Sequence, residues 1–372
     1  MSSPTNSPIK LPQLILIVLL AARSSGFAQG SLTPPGTPAP TMKSLAQIEP
    51  RTPISSIPIT ISNAGSYYLT TNLTGAASSS GITVSADNVT LDLNGFALVG
   101  VGGSLNGITA PTPISSFTVR NGTIRNWIGS GISVSASDST FERLSLLSNS
   151  STGLSGGTHA LVRDCAVASN GSGIVVGQGS DVRNCIVRSN SLAGISTGEA
   201  CSIVDCTVFR NGTQGILLAN ASSVERCVVK TNLQNGILGL ANNSITRCIV
   251  SQNNSNGISL SFGCRVTDCV VTSNKVDGIR IEARCTVTGN TCDYNGTTGT
   301  HAGIRAVDTD NRIDGNDLSK NFYGIFSEAG FNLIVRNKAT LNTTAYSFTT
   351  DDKAGPTSTN AATAGPWANF AY

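Results

Sequence analysis

One period governs residues 165–274. Six cysteines, Cys165, Cys185, Cys206, Cys227, Cys248 and Cys269, stand 20, 21, 21, 21 and 21 residues apart. An Asn follows each by five residues: Asn170, Asn190, Asn211, Asn232, Asn253 and Asn274. A Gly-Ile step follows each Asn, from Gly173-Ile174 to Gly278-Ile279. A unit this short cannot bury its apolar face alone, so copies must stack on one another. Within the unit, apolar and polar residues alternate in runs of three to five, broken by Gly and Asn. That is the periodicity of strands, not of helices.

A turn of about 21 residues with three short strands closes on itself, and stacked turns pair strand on strand in parallel. Such coiling is expected to be right-handed. The fold class predicted is all-β, a single-stranded right-handed parallel β-helix. Further Gly-Ile or Gly-Leu marks at Gly81, Gly107, Gly131, Gly153, Gly303 and Gly324 extend it to about twelve coils. Alternation names the inward columns. One is Val162, Val182, Ile203, Val224, Ile245, Val266 and Val287; another runs from Val167 to Val271 and on through Cys292 and Leu318.

The Cys column continues as Asn290, Asn316 and Asn337, which marks a bend where a small side chain stacks on its own copy. In-register stacking aims thiols alike rather than at each other, which favours unpaired cysteines. A second column holds Cys201, Ser222, Asn243, Cys264 and Cys285, and Cys264–Cys285 is the candidate disulfide. The Asn column is read as a repeated tight turn, since Asn tolerates left-handed backbone.

Outside the repeat, residues 1–28 read as a signal peptide, with a retained N-terminal anchor as the alternative. An apolar run from Leu11 to Ala22 follows Lys10, is too short to span a bilayer, and precedes Gly26-Phe27-Ala28. Residues 29–42 form a Pro/Ser/Thr-rich linker, 43–80 an N-terminal cap, 81–345 the β-helix, and 346–372 a C-terminal tail whose Trp367 and Phe370 read as a plug on the last coil, with an exposed ligand platform as the alternative. The expected location is secreted or in the cell envelope, with no membrane span after cleavage. Formal charge is +3, and cleavage removes Lys10 and Arg23 but no acid, leaving +1. Nucleic-acid binding needs a basic stripe and is not expected.

The Asn-Gly-Ile cadence, with Asn88-Val89-Thr90-Leu91-Asp92-Leu93-Asn94-Gly95, resembles the right-handed parallel β-helix repeat proteins of the pectate-lyase-like superfamily. The segments Ile48-Glu49-Pro50-Arg51-Thr52-Pro53-Ile54 and Pro366-Trp367-Ala368-Asn369-Phe370 are similar to those of an uncharacterised bacterial secreted branch. The resemblance covers residues 45–370 and implies polysaccharide-directed functions, catalytic or not. Hydrolases of this fold carry clustered aspartates and Gly-His-Gly. This chain has no Gly-His-Gly; its histidines are His159 and His301, and its only Asp-Asp pair is Asp351-Asp352. Lyases of the fold use calcium held by acidic residues, with an Arg or Lys base.

The outward column after each Gly-Ile is bland until the last coils, where Asp277, Arg280, Glu282, His301, Arg305, Asp308 and Glu328 gather. Of these, Asp277, Arg280, Glu282, His301, Arg305 and Glu328 form the candidate binding set, with Arg280, Glu282 and Arg305 as catalytic candidates. Arg280 and Arg305, one coil apart, could grip a uronate carboxylate. The plainer alternative is that Glu282 and Asp277 neutralise two surface arginines. Residues 308–317 are acid-rich, but Arg312 occupies the fifth position of an EF-hand-like loop. A looser calcium site through Asp308, Asp310 and Asp314, and solvated turns, are the two readings; no other cofactor is expected, and calcium belongs only to a lyase. Trp127, Tyr294 and Tyr323 are the aromatics available to a sugar. The function expected is a non-catalytic protein presenting a long face to extracellular glycan or protein partners. The alternative is a polysaccharide lyase or epimerase acting on uronate polymers.

Overall fold

A computed structural model describes residues 48–372. The expected signal peptide, the linker and residues 43–47 lie outside that range. Residues 51–372 contain strands, turns and bends and no helix. Among the described residues no helix is long and apolar enough to cross a membrane.

Each coil contributes one strand to a fourteen-strand sheet and up to two to a larger sheet of twenty-eight. In one representative coil these are Ile195–Thr197, then Ser202–Val204 and Thr207–Phe209. Every pairing is parallel, and through the regular run each coil is in register with the next, as in Ile195↔Ile216, Ile203↔Val224 and Val208↔Val229; a bulge shifts the register once, between Val134 and Ala136. The inward columns read from the sequence are therefore real files of stacked side chains, and Val162 to Val287 and Val167 to Leu318 are fully buried along their length.

The Gly-Ile cadence marks twelve coils, whereas the smaller sheet has fourteen strands. The two extra ones are its ends, Ile59–Ile61 and Thr344–Ser347, where Pro58 and Ala345 stand in the glycine position. The internal glycines are needed for space. A Cβ on Gly236 would lie 2.5 Å from Val250 Cγ1, 2.6 Å from Asn253 Nδ2 and 2.6 Å from the Gly257 carbonyl. Ala345 belongs to the last coil of this sheet, so no further coil crowds it.

From the coil of Ile108 to that of Ile325, three corners close each coil, and each uses the same device. A residue with positive φ turns the chain, and the next side chain points inward. Ala200, Asp205 and Arg210 have φ of 53°, 54° and 55°, and they precede Cys201, Cys206 and Asn211. The Asn column thus does not itself take the left-handed conformation; the residue before it does. Freed from the turn, each Asn enters the core, where its amide has to be satisfied. It is met by its own copy: Asn211 donates from backbone N and from Nδ2 to Asn232 Oδ1, both at 3.0 Å, and Asn232 does the same to Asn253. The ladder runs unbroken from Asn149 to Asn274 in this way, every Asn-to-Asn bond pointing to the following coil, while Nδ2 of Asn149, Asn170, Asn190, Asn253 and Asn274 also donates back to a carbonyl of the preceding coil.

All ten cysteines are buried and unbonded. The candidate Cys264–Cys285 disulfide is not formed; instead the backbone N–H of Cys264 donates to Cys285 Sγ at 3.4 Å. In-register stacking keeps the two thiols parallel, and each donates to a carbonyl, Cys264 to Leu240 and Cys285 to Ser261. At the C-terminal end the chain folds back so that Asn369 takes the next place in the Cys/Asn column, accepting from Asn337 N at 3.0 Å and Nδ2 at 3.1 Å. Trp367, two residues earlier, points outward and is 57% exposed.

Candidate functional site

The outward file of the fourteen-strand sheet carries Ser259, Arg280, Arg305 and Phe326 on successive strands in register. Before these come Val175, Ser196, Leu217 and Leu238. Charge therefore enters this face abruptly, at the strand Ile279–Ile281. The same place holds the longest connection in the regular run: Asn295 and Asn321 are 26 residues apart, and four of the five extra residues fall between Asn295 and Gly303, the fifth between Ala306 and Arg312.

Two guanidinium groups on adjacent parallel strands, about 4.8 Å apart, repel unless each is compensated. Arg280 Nη1 lies 3.6 Å from Glu282 Oε1. Arg305 is held more completely. Its Nε donates to Glu328 Oε1 at 2.7 Å, its Nη2 also reaches Glu328, and its Nη1 donates to the Thr300 carbonyl at 3.2 Å. Nη1 also stands 3.8 Å from Asp277 Oδ2. The guanidinium lies over the Phe326 ring, 5.1 Å from its centre, a cation–π placement. Phe326 stacks on Tyr323 at 4.9 Å and 18°, and Phe322 meets Tyr323 edge-on at 4.9 Å. The result is an aromatic shelf with a clamped arginine along one side.

Asp277 does not lie on the surface with the arginines, as a simple neutralising partner would. It is 1% exposed. Its Oδ1 accepts the Ala302 N–H at 2.7 Å, and its own N–H is received by Asn256 Oδ1 at 3.0 Å. Burial pushes its carboxyl above the usual carboxylate range, against the opposing pull of the Ala302 N–H, Arg305, His301 and Arg280. His301 Nδ1 is 4.0 Å from Asp277 Oδ1, too far for a hydrogen bond, and that buried nitrogen has no hydrogen-bond partner.

The sequence-predicted set thus separates. Asp277, His301, Arg305 and Glu328 converge, and Arg280 with Glu282 flanks them. Asp308, Asp310 and Asp314 do not form a cation cage. Asp308 and Asp310 are exposed and take hydrogen bonds from Thr309. Asp314 accepts from Arg312 Nη2 at 2.7 Å and from Arg336 Nε at 2.7 Å, so two cations already occupy it. Among the described residues no group of three His, Cys, Asp or Glu side chains is placed to hold a metal ion. Of the aromatics, Trp127 is fully buried and donates from Nε1 to the Leu98 carbonyl at 3.3 Å, so it offers nothing to a sugar. Tyr294 is exposed beneath Lys320, 4.9 Å away. The aromatic shelf was legible only as separate residues; the in-register pairing Arg305↔Phe326 is the signal that joins them.

A second charged file lies on the larger sheet, where Asp92, Arg120, Glu142 and Arg163 alternate in sign on successive coils. Asp92 accepts from Arg120 Nε at 3.1 Å and Glu142 from Arg163 Nε at 2.9 Å. These carboxylates are buried against their own arginines, which makes the file a cross-strand support.

Residues 59–202 and 195–340 match the family model of the right handed beta helix region. Among solved structures, the A-module of the Azotobacter vinelandii mannuronan C-5 epimerase AlgE4 is similar, with a TM-score of 0.57 at 15% identity over 74% of this chain and 88% of that one. The A-module of AlgE6 from the same organism gives 0.57 at 15% identity over 82% and 89%. The siphovirus 9NA tailspike receptor binding domain gives 0.47 at 10% identity over 89% and 78%. No curated protein matches the sequence. At such identities the structural likeness speaks for the fold alone. The family match spans most of the chain, and together with the fourteen stacked parallel coils it shows that this protein belongs to the right-handed β-helix family.

Proposed function

We propose that the protein is an exported, non-catalytic glycan-binding β-helix. It lays a saccharide chain along the outer face of the fourteen-strand sheet, with its anchor at Arg305, Phe326 and Tyr323. The observation that carries this reading is the clamp on Arg305. A guanidinium fixed by Glu328 and the Thr300 carbonyl, and packed on Phe326, presents a rigid donor beside an aromatic face. Sugars are bound by that pairing, because ring CH groups pack on the aromatic and hydroxyls meet the fixed polar group. Arg280 and Arg305 are each matched by a glutamate on an ion-paired surface, which favours recognition over turnover.

The test is binding of the folded protein to immobilised neutral and uronate-containing polysaccharides. Arg305→Ala and Phe326→Ala are expected to weaken binding about three- to tenfold each. Absence of binding to any glycan, or undiminished binding by both variants, overturns the reading. One observation favours the alternative of a polysaccharide lyase or epimerase on uronate polymers: the unpartnered His301 Nδ1 beside a buried carboxyl of raised pKa. It predicts that pectate or alginate gives unsaturated product or altered uronate configuration, and that His301→Ala abolishes the change. Calcium would accompany only this alternative, and the donors at Asp308, Asp310 and Asp314 do not fit the ion, because Asp314 is taken by Arg312 and Arg336.

A further inference from the structure

The C-terminal tail leaves an unusual arrangement on the larger sheet, away from the file of Arg280 and Arg305. A shallow depression of about 520 Å³ is lined by Leu333, Val335, Asp352, Lys353, Ala354, Gly355 and Trp367. That volume is within the roughly 300–1,000 Å³ of small-molecule sites. Its most prominent wall is Trp367, 57% exposed, and its floor includes Leu333, 40% exposed. An exposed indole costs free energy, and a loose one would swing against the nearest apolar surface. Trp367 is instead held out. The guanidinium of Arg336 lies over one face of the ring, 5.3 Å from a ring centre. Arg336 is fixed by Asp314, which is 4% exposed and also receives Arg312. The backbone beneath is equally constrained, since a Cβ on Gly355 would fall 1.9 Å from the Trp367 carbonyl oxygen. Three successive layers, Asp314, Arg336 and Trp367, thus serve to hold one aromatic surface in place.

The rim supplies polar groups of both signs. Asp352 accepts one backbone N–H on each carboxylate oxygen, from Asn332 at 3.0 Å and Thr349 at 2.9 Å, which leaves acceptor capacity on both. Lys353 is exposed and makes no ion pair among the described residues. A carboxylate and an ammonium beside an aromatic face suit a neutral ligand rich in hydroxyls, and would discriminate against one of strong single charge. The aliphatic floor suits a methyl group. We infer that Trp367, Leu333, Val335, Asp352 and Lys353 form a separate saccharide subsite, selective for a pyranose bearing a methyl substituent, that is, a 6-deoxy or N-acetylated sugar. The indole takes the face of the ring, the exposed Leu333 takes the methyl with Val335, 4% exposed, behind it, and Asp352 with Lys353 takes hydroxyls. This inference deepens the glycan-binding reading and rests on it for the ligand class.

The chain has two tryptophans, and the other, Trp127, is fully buried. Acrylamide quenching of tryptophan emission therefore reports Trp367 almost alone. The full chain is titrated separately with L-rhamnose, N-acetylglucosamine and glucose. The first two are expected to shift the emission to the blue and to protect Trp367 from quencher, with glucose at least about threefold weaker. Measured by calorimetry, Trp367→Ala loses binding and Trp367→Phe retains it, and Arg305→Ala leaves the Trp367 emission response unchanged. No response to either methyl-bearing sugar up to about 100 mM, a limit beyond any useful affinity, overturns the inference. So does glucose binding as tightly as the other two. If Arg305→Ala abolishes polysaccharide binding while no sugar touches Trp367, the sheet-face reading survives and this one falls. If Trp367 responds while no polymer binds the sheet face, the subsite stands and the sheet-face reading falls.

Discussion

Two aspartates with opposite electrostatics show what single residues contribute. Burial lifts the Asp277 carboxyl, whereas the hydrogen bond from Arg336, helped by Arg312, holds Asp314 below its ordinary range. Between the ordinary carboxyl value of 3.8 and the raised value of Asp277, the folded chain binds a proton there that the unfolded chain has lost. Stability from this residue therefore falls as pH rises through that window. Asp277→Asn keeps an oxygen for the Ala302 N–H and is expected to melt no lower than the parent at neutral pH. Asp314 has the reverse sign. Its stabilisation is present above 3.8 and lost as pH falls through its lowered pKa. Asp314→Asn should melt lower than the parent at neutral pH, with the gap closing towards pH 2. Thermal melts followed by circular dichroism from pH 2 to 7 decide both; variants with the same pH profile would contradict the assignment. Neither sign is legible in the sequence, where both residues are simply aspartates in polar turns. The register that buries one and brackets the other with arginines comes only from the third dimension.

At the scale of the corner, the sequence announces which residues stack but not how they are satisfied. The Cys and Asn columns look alike as periodic small residues, yet they do different work. Each Asn carries a one-way amide chain, while each Cys fills space, donates weakly to a carbonyl and, at Cys227, Cys269 and Cys285, accepts one long N–H bond. Asn232→Ala would strand the backbone N–H and Nδ2 of Asn211 in the core, and is expected to cost roughly 2–5 kcal/mol. Cys227→Ala removes one soft atom and the long, weak acceptor of the Cys206 N–H, 3.4 Å away, and should cost less, roughly 1–3 kcal/mol. Urea midpoints of the two variants test the difference, and a cysteine variant as damaged as the asparagine one would show the reading of the corners to be wrong. The glycine of each Gly-Ile step was visible as a beat. Its cause, a Cβ with no room against the valine and asparagine side chains and a glycine carbonyl of the following coil, was not, which is why the last coil, with Ala345 and no successor in its sheet, escaped a count based on that beat.

Across the whole molecule, each coil touches only its neighbours, so coil number is not fixed by any long-range constraint. Deleting residues 212–232 would join Asn211 to Leu233 in the same phase and leave every remaining column in register. The shortened chain should fold with the same β spectrum and resist proteolysis, at lower stability. A deletion of ten residues at the same point shifts inward residues outward and should not fold. Recovery of both deletions in equal soluble yield would deny that phase governs the fold. The architecture was readable from the sequence because phase is a sequence property. The site was readable only in part, since Arg280, Arg305 and His301 stood out by charge while the buried depth of Asp277 and the union of Arg305 with Phe326 did not.

The directional amide ladders have a further consequence for how such a chain can end. Because donors face forward, every coil leaves open valences that only its successor can close. The final successor is the tail: Asn369 receives Asn337, and Asp352, which as a carboxylate offers only acceptors, receives Asn332. The tail thus acts as a terminator, and its two acceptors are the residues least free to vary when the number of repeats grows or shrinks between them and the amino end.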